Sequence, residues 1–356
     1  TGLVTPSLIA ANNVFSNTAG ELDSGKGGGI FLDGSEATLQ GNEIISNTAT
    51  VSGPQGNGGG VYVEGGSVTI RGNAVVGNAG GRGVASSIGY GGGMVISDTV
   101  ALVQNNWILR NRATNSPDAG LGGGVYAFTS TVRIISNTIK ENSLTSGPLG
   151  LGGGLFLHYS VTTVDGNSII ENKAGEGSQS RGGGVRLDFC PAFTLTNNII
   201  ASNKAAEYAS GVGVARSTGW IAHNTIADNG GGDGSGIHVW LTSTATIYGN
   251  IILGHTVGIT NADAPTTTVL AEYTLFEANT NDVGPDVTNL NVIPGPALLL
   301  PDFHLSTGSG AISKVPPLAW VAWDIDRDRR PVGLSDAGAD EYMVLIYLPL
   351  IMREAP

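Results

Sequence analysis

The sequence predicts an all-β fold, a parallel β-helix of about ten coils, and three observations predict it. Pairs of asparagines five residues apart recur along the chain, two apolar columns keep fixed distances from them, and glycine triplets open successive windings. The pairs are Asn12 and Asn17, Asn42 and Asn47, Asn73 and Asn78, Asn106 and Asn111, Asn137 and Asn142, Asn167 and Asn172, Asn198 and Asn203, and Asn224 and Asn229. Asn250 with His255 and Thr274 with Asn279 keep the spacing with one partner changed, as a solenoid does near its end. The period of roughly 22 to 33 residues leaves room for three short strands per winding and none for a helix.

Each element follows from its place in that repeat. Two residues after the first Asn stand Val14, Ile44, Val75, Ile108, Ile139, Ile169, Ile200, Ile226, Ile252 and Phe276; three before it stand Ile9, Leu39, Ile70, Val103, Ile134, Val164, Leu195, Ile221, Ile247 and Ala271. Nothing polar interrupts either column, so both read as core, with coils stacked about 4.8 Å apart. Asn suits the corners because it tolerates left-handed backbone and its amide both donates and accepts along the stack. The glycine triplets, ending at Gly29, Gly60, Gly93, Gly124, Gly154 and Gly184, precede the first strand of a coil, where the chain turns under a long insert. A phosphate-binding glycine loop occurs once and feeds a helix; these recur and feed strands. The inserts leave from one corner, the place where a solenoid gathers its binding loops.

Composition narrows the function. A net charge of −12 disfavours nucleic acid and anionic membrane surfaces. Cys190 is alone, so no internal disulfide forms. The longest apolar run, Met343 to Met352, is half of a membrane span and carries Pro349. A start at Thr1 suits a processed, exported chain, and an extracellular or cell-surface location is expected.

Strand alternation sends Val61 and Val63 inward and Tyr62 and Glu64 outward. Carried through the coils, one outer row reads Phe31, Tyr62, Val95, Tyr126, Phe156, Arg186, Gly213 and His238. Its neighbour reads Asp33, Glu64, Ser97, Phe128, His158, Asp188, Ala215 and Trp240. Rings among polar groups suit a polysaccharide, which makes Phe31, Tyr62, Tyr126, Phe128, Phe156, His238 and Trp240 the candidate ligand-binding residues. The same rings read more readily as a stack packed coil on coil or covered by the inserts, and a protein interface is a further reading. Two constellations are candidates for catalysis: Asp33 with Glu64, as a carboxylate pair on adjacent coils, and His158 with Asp188 and Arg186, as a base, its orienting acid and a cation. Asp324, Asp326 and Asp328 have the alternate spacing of a calcium loop but lack its Gly and distal Glu, and no cofactor is expected. Their carboxylates read more readily as partners of Arg327, Arg329 and Arg330.

Beyond Asn279 the repeat ends, and "DFHLSTGSGAI", "DIDRDRRPVG" and "DAGADE" follow in order. Residues 286 to 342 resemble the terminal module of bacterial secreted parallel β-helix proteins, the choice-of-anchor Q family, with Ser313 and Arg327 departing from its usual acidic residue and glycine. The resemblance, with the crossover rule, implies a right-handed helix resembling the pectate-lyase solenoid. The chain therefore divides into repeats over 1–280, a capping module over 281–342 and a hydrophobic tail strand over 343–356. The expected role is a surface or fibre-forming structural protein that associates with itself end to end through the tail; the alternative is a polysaccharide-binding or polysaccharide-cleaving protein.

Overall fold

The computed structural model describes residues 6–82, 88–114, 119–144 and 147–343. Apart from Met343, the predicted tail strand lies outside the described residues. Among the described residues the regular elements are all β-strands, and three long parallel sheets run the length of a rod. The first, of ten strands, runs from Ile30–Asp33 to Asn281–Val283; the second, of eleven, from Ser7–Ala10 to Thr288–Leu290; the third, of ten, from Asn13–Phe15 to Leu275–Glu277. Each strand pairs in register with its counterparts one coil away, as Val61–Glu64 does with Ile30–Asp33 and Met94–Ser97.

The predicted columns are the core. Ile44, Val75 and Ile108 are opposite one another in the third sheet and fully buried, and Leu39, Ile70 and Val103 do the same in the second. Only the ends of the stack, such as Ile9, Val14 and Phe276, are partly open. Beside the columns run two asparagine ladders. Asn73 donates its backbone N–H and its Nδ2 to Asn106 Oδ1, both at 2.9 Å, and Nδ2 also reaches the Leu39 carbonyl at 3.0 Å. His255 continues one ladder, its Nε2 3.3 Å from Asn229 Nδ2, while its own N–H reaches Asn279 Oδ1 at 3.0 Å.

The left-handed residue at these corners is the one before the Asn: Ser46, Asn105, Arg110, Ser136, Glu141 and Glu171 all have positive φ. This corrects the expectation that the ladder Asn itself takes that conformation; its side chain is needed along the axis, and the preceding, outward-facing residue makes the bend. A third corner carries a hydroxyl ladder. Thr99 N–H donates to Ser130 Oγ, Ser130 to Ser160, Cys190 to Ser217 and Ser217 to Ser243. Cys190 thus stands where other coils have Ser, and burial pushes its thiol up to about 11.

The inserts are stacked structure as well. Thr18–Gly20, Thr48–Thr50, Ala79–Gly81 and Arg112–Thr114 form a four-stranded sheet, and six strands from Gly25–Lys26 to Gln179–Arg181 form another. The glycine triplets let this layer close on the rod: a Cβ on Gly59 would lie 2.4 Å from the Ala79 backbone carbon.

The carboxyl-terminal module lies along the flank of the rod as well as at the last coil. Ile293, Ala297, Leu305, Ala311, Val315 and Ala337 pack on Ala222, Tyr248, Ile251 and Leu275, four outward side chains from three successive coils. Arg327 reaches further back, to Asp165 at 2.9 Å and Ser136, and the Gly338 N–H donates to the Gly249 carbonyl at 2.8 Å. The apolar outward residues of the later coils explain the position, since an exposed strip of them would otherwise face water.

Candidate functional site

The outer face of the first sheet is where the sequence gathers rings and charge, and the insert layer decides how much of it meets solvent. Tyr62, Val95, Tyr126 and Phe156 form a buried seam roofed by Tyr90, Leu121 and Leu151. Their rings stack coil on coil, Phe31 with Tyr62 at 5.5 Å and Tyr126 with Phe156 at 5.3 Å, and burial pushes the Tyr126 phenol up. As an open ligand platform this row is corrected: Tyr62, Tyr126, Phe156, His238 and Trp240 are all buried, Phe128 is half-buried, and Phe31 is 45% exposed. The accessory sheet covers Tyr62, Tyr126 and Phe156, and Tyr208 packs on His238 and Trp240; alternation within one strand reveals neither.

His158, Asp188 and Arg186 come together without the expected arrangement. Asp188 accepts from Arg186 Nη2 at 3.1 Å and from Arg216 Nη1 at 3.0 Å, one guanidinium on each oxygen. His158 instead lies 4.5 Å from the Tyr159 ring and 5.1 Å from Phe156, with Nδ1 3.3 Å from the Tyr126 hydroxyl. Burial lowers its pKa, so the ring is a neutral packing element. Arg186 is 2% exposed, under the Trp240 ring at 4.1 Å, which removes it as a cation for substrate. Asp33 and Glu64 do face each other across adjacent strands, but Glu64 is ion-paired to Lys26, which itself lies over the Tyr62 ring. His238 has an acid that the sequence reading missed: its Nδ1 is 2.8 Å from Asp233 Oδ2, five residues upstream in the turn, and Tyr208 stacks on the imidazole at 4.6 Å.

In the carboxyl-terminal module the three alternate aspartates diverge. Asp324 is fully buried and accepts N–H groups from Asp328 at 2.8 Å and Glu341 at 3.0 Å, so it ties the loop and does not join Asp326 and Asp328 around an ion. Arg330, buried, pairs with Glu341 and donates to Asn197 Oδ1 of the rod at 2.8 Å. Desolvation outweighs that pair: it pushes Glu341 up to about 7 and lowers Arg330. Among the described residues, His304, Asp326 and Asp340 are the group able to hold a cation, their ligand atoms lying within 4.8 Å of one another. His304 Nε2 already sits 3.2 Å from Asp326. Burial opposes its charge, but Asp326, Asp340 and Asp302 outweigh that and raise its pKa.

A further surface, absent from the sequence reading, lies on the second sheet. Its outward central row runs Thr163, Thr194, Trp220 and Thr246 in register, and it borders a groove of about 390 Å³. Trp320 of the module meets Trp220 edge to face at 5.7 Å. The signal was a threonine recurring four residues before the first ladder Asn, at Thr38, Thr69, Thr163, Thr194 and Thr246.

Stacked parallel coils with this core define a solenoid of the β-helix class. The right-handed β-helix region matches residues 8–206 and 176–288, and the chain belongs to that family. Among solved structures it is similar to tailspike protein 3 of bacteriophage CBA120, at 12% identity and a TM-score of 0.26, over 81% of this chain and 56% of that one. The chain thus spans little more than half of the tailspike. A comparison with curated proteins returns no match. Among the described residues no helix is long and apolar enough to cross a membrane.

Proposed function

We propose that the protein is a non-catalytic structural β-helix of the cell exterior, a rod whose charged groups serve packing. The observation that carries this reading is Asp188: both of its oxygens are committed to guanidinium groups, leaving His158 without an orienting acid. The Glu64 pairing with Lys26 supports it in the same way. Purified protein incubated with neutral and uronate polysaccharides is expected to release no new reducing ends or unsaturated products. Turnover that disappears in Asp188→Asn while the fold persists would refute it.

The same reading includes end-to-end association, with residues 343–356 of one copy laid on the first winding of the next. Its support is that winding: Leu8, Phe15 and Leu22 are exposed there, and among the described residues Ser7–Ala10, Asn13–Phe15 and Thr18–Gly20 each pair on one side only. Sedimentation should show concentration-dependent assembly that deletion of 343–356 abolishes. Assembly that survives the deletion rules out the tail as the connector.

A further inference from the structure

The groove on the second sheet is built by a local fault in the repeat. Strands on either side have five residues, Val161–Asp165 and Thr218–Ala222, whereas the strand between them, Phe193–Thr196, has four. Pro191 and Ala192 stand where the neighbouring coils have the single residues Val161 and Thr218, so this coil carries one residue more, and Pro191 has no N–H to offer the ladder. The strand therefore begins one residue later than its neighbours, and the notch beside it spans four coils. Phe193 turns into the core at the same point, and Gly219 beside it has to be glycine, since a Cβ there would lie 2.1 Å from the Phe193 carbonyl oxygen. The step in the surface is thus fixed by packing beneath it.

Four features of the notch point to a ligand. Trp220 at its edge is 36% exposed although Trp320 crosses it at 5.7 Å, so a large ring is kept oriented without being covered. Thr163, Thr194 and Thr246 stand outward around it on coils spaced by about 4.8 Å, roughly one sugar ring apart. No residue lining the groove is charged, on a protein of net charge −12. The volume, about 390 Å³, is in the range of small-ligand sites.

We propose that this groove binds an uncharged glycan, one sugar stacking on Trp220 while its hydroxyls bond the threonines. An aromatic face beside neutral hydroxyls matches the apolar ring face and polar rim of a pyranose. The lining itself offers a carboxylate no cation; Arg133 stands next to Thr163 on the outward row, one coil before the groove. The site is separate from the ring stack of the first sheet, which the insert layer closes.

The test is titration of the full chain with neutral hexasaccharides of glucose, mannose, galactose and N-acetylglucosamine, with a hexauronate as the acidic arm and an apolar hexapeptide as the peptide arm, followed by calorimetry. At least one neutral hexasaccharide should bind, weakened roughly tenfold or more by Trp220→Ala and measurably by Thr194→Val, and unchanged by Phe31→Ala. Trp220 is a surface residue, and circular dichroism of each variant checks that the rod persists. The inference is overturned if no neutral glycan binds, if the hexauronate or the peptide binds in preference, or if Trp220→Ala binds as well as the parent. Release of shorter sugars during the titration would refute the non-catalytic reading and leave the groove standing, so the two fail separately.

Discussion

Asn106 shows what one ladder residue does. Its Oδ1 takes two donors from Asn73, and its Nδ2 reaches Asn137 Oδ1 at 3.0 Å and the Ile70 carbonyl at 2.8 Å. Asn106→Ala leaves two buried donors without an acceptor, and chemical denaturation should show a loss of about 3 kcal/mol or more. His255 occupies an equivalent rung at a cost. Burial lowers its pKa to about 4, and its Nδ1 has no partner. Because the folded pKa is depressed, its contribution is complete above the ordinary value of 6.5 and lost as pH falls from there to about 4. His255→Asn restores the usual rung and removes that proton uptake. Its stability advantage over the parent should grow as pH drops across that window, and an advantage independent of pH would show that His255 does not titrate on unfolding.

Single strands are set by what lies under them. Gly219→Ala drives a Cβ into the backbone and ring of Phe193, at 2.1 and 2.6 Å, so the expected loss is about 2–3 kcal/mol, with the notch deformed. Gly230→Ala is the control: nothing lies within 4 Å of its Cβ, and thermal unfolding should shift little, within about 0.5 kcal/mol. The insert strands belong to the same scale. Their sequences, such as Gln55–Asn57 and Leu149–Leu151, are short and glycine-rich and form strands because the neighbouring coil offers an edge to pair with.

The whole molecule is a rod with a module fastened along its flank, and two arginines separate the strong fastening from the weak one. Arg330 is buried against Glu341 and Asn197; Arg330→Ala leaves a buried carboxylate uncompensated and should cost about 3–5 kcal/mol. Arg327 pairs with Asp165 directly but at the solvent-exposed surface, and Arg327→Ala should cost under about 1 kcal/mol. Limited proteolysis of the two variants checks the ranking: early cleavage within residues 290–343 is expected only for Arg330→Ala, and equal cleavage would show that the module is held by its apolar contacts alone.

The coil number, the buried columns and both asparagine ladders were legible in the sequence, because each coil repeats the same inward contacts and periodicity alone carries them. Tyr62 and Phe156 were legible as outward residues but not as buried ones, since the cover comes from inserts whose strands have no pattern of their own. His158 and Asp188 were correctly brought to adjacent coils; that Arg216, from the next coil on, takes the carboxylate oxygen depends on side-chain packing. Residues 324 to 341 likewise announced charge without all of its partners, since Asp165, Ser136 and Asn197 sit on the rod more than a hundred positions earlier. Repetition in one dimension determined the rod, and contacts between non-repeating segments decided which of its surfaces remain open.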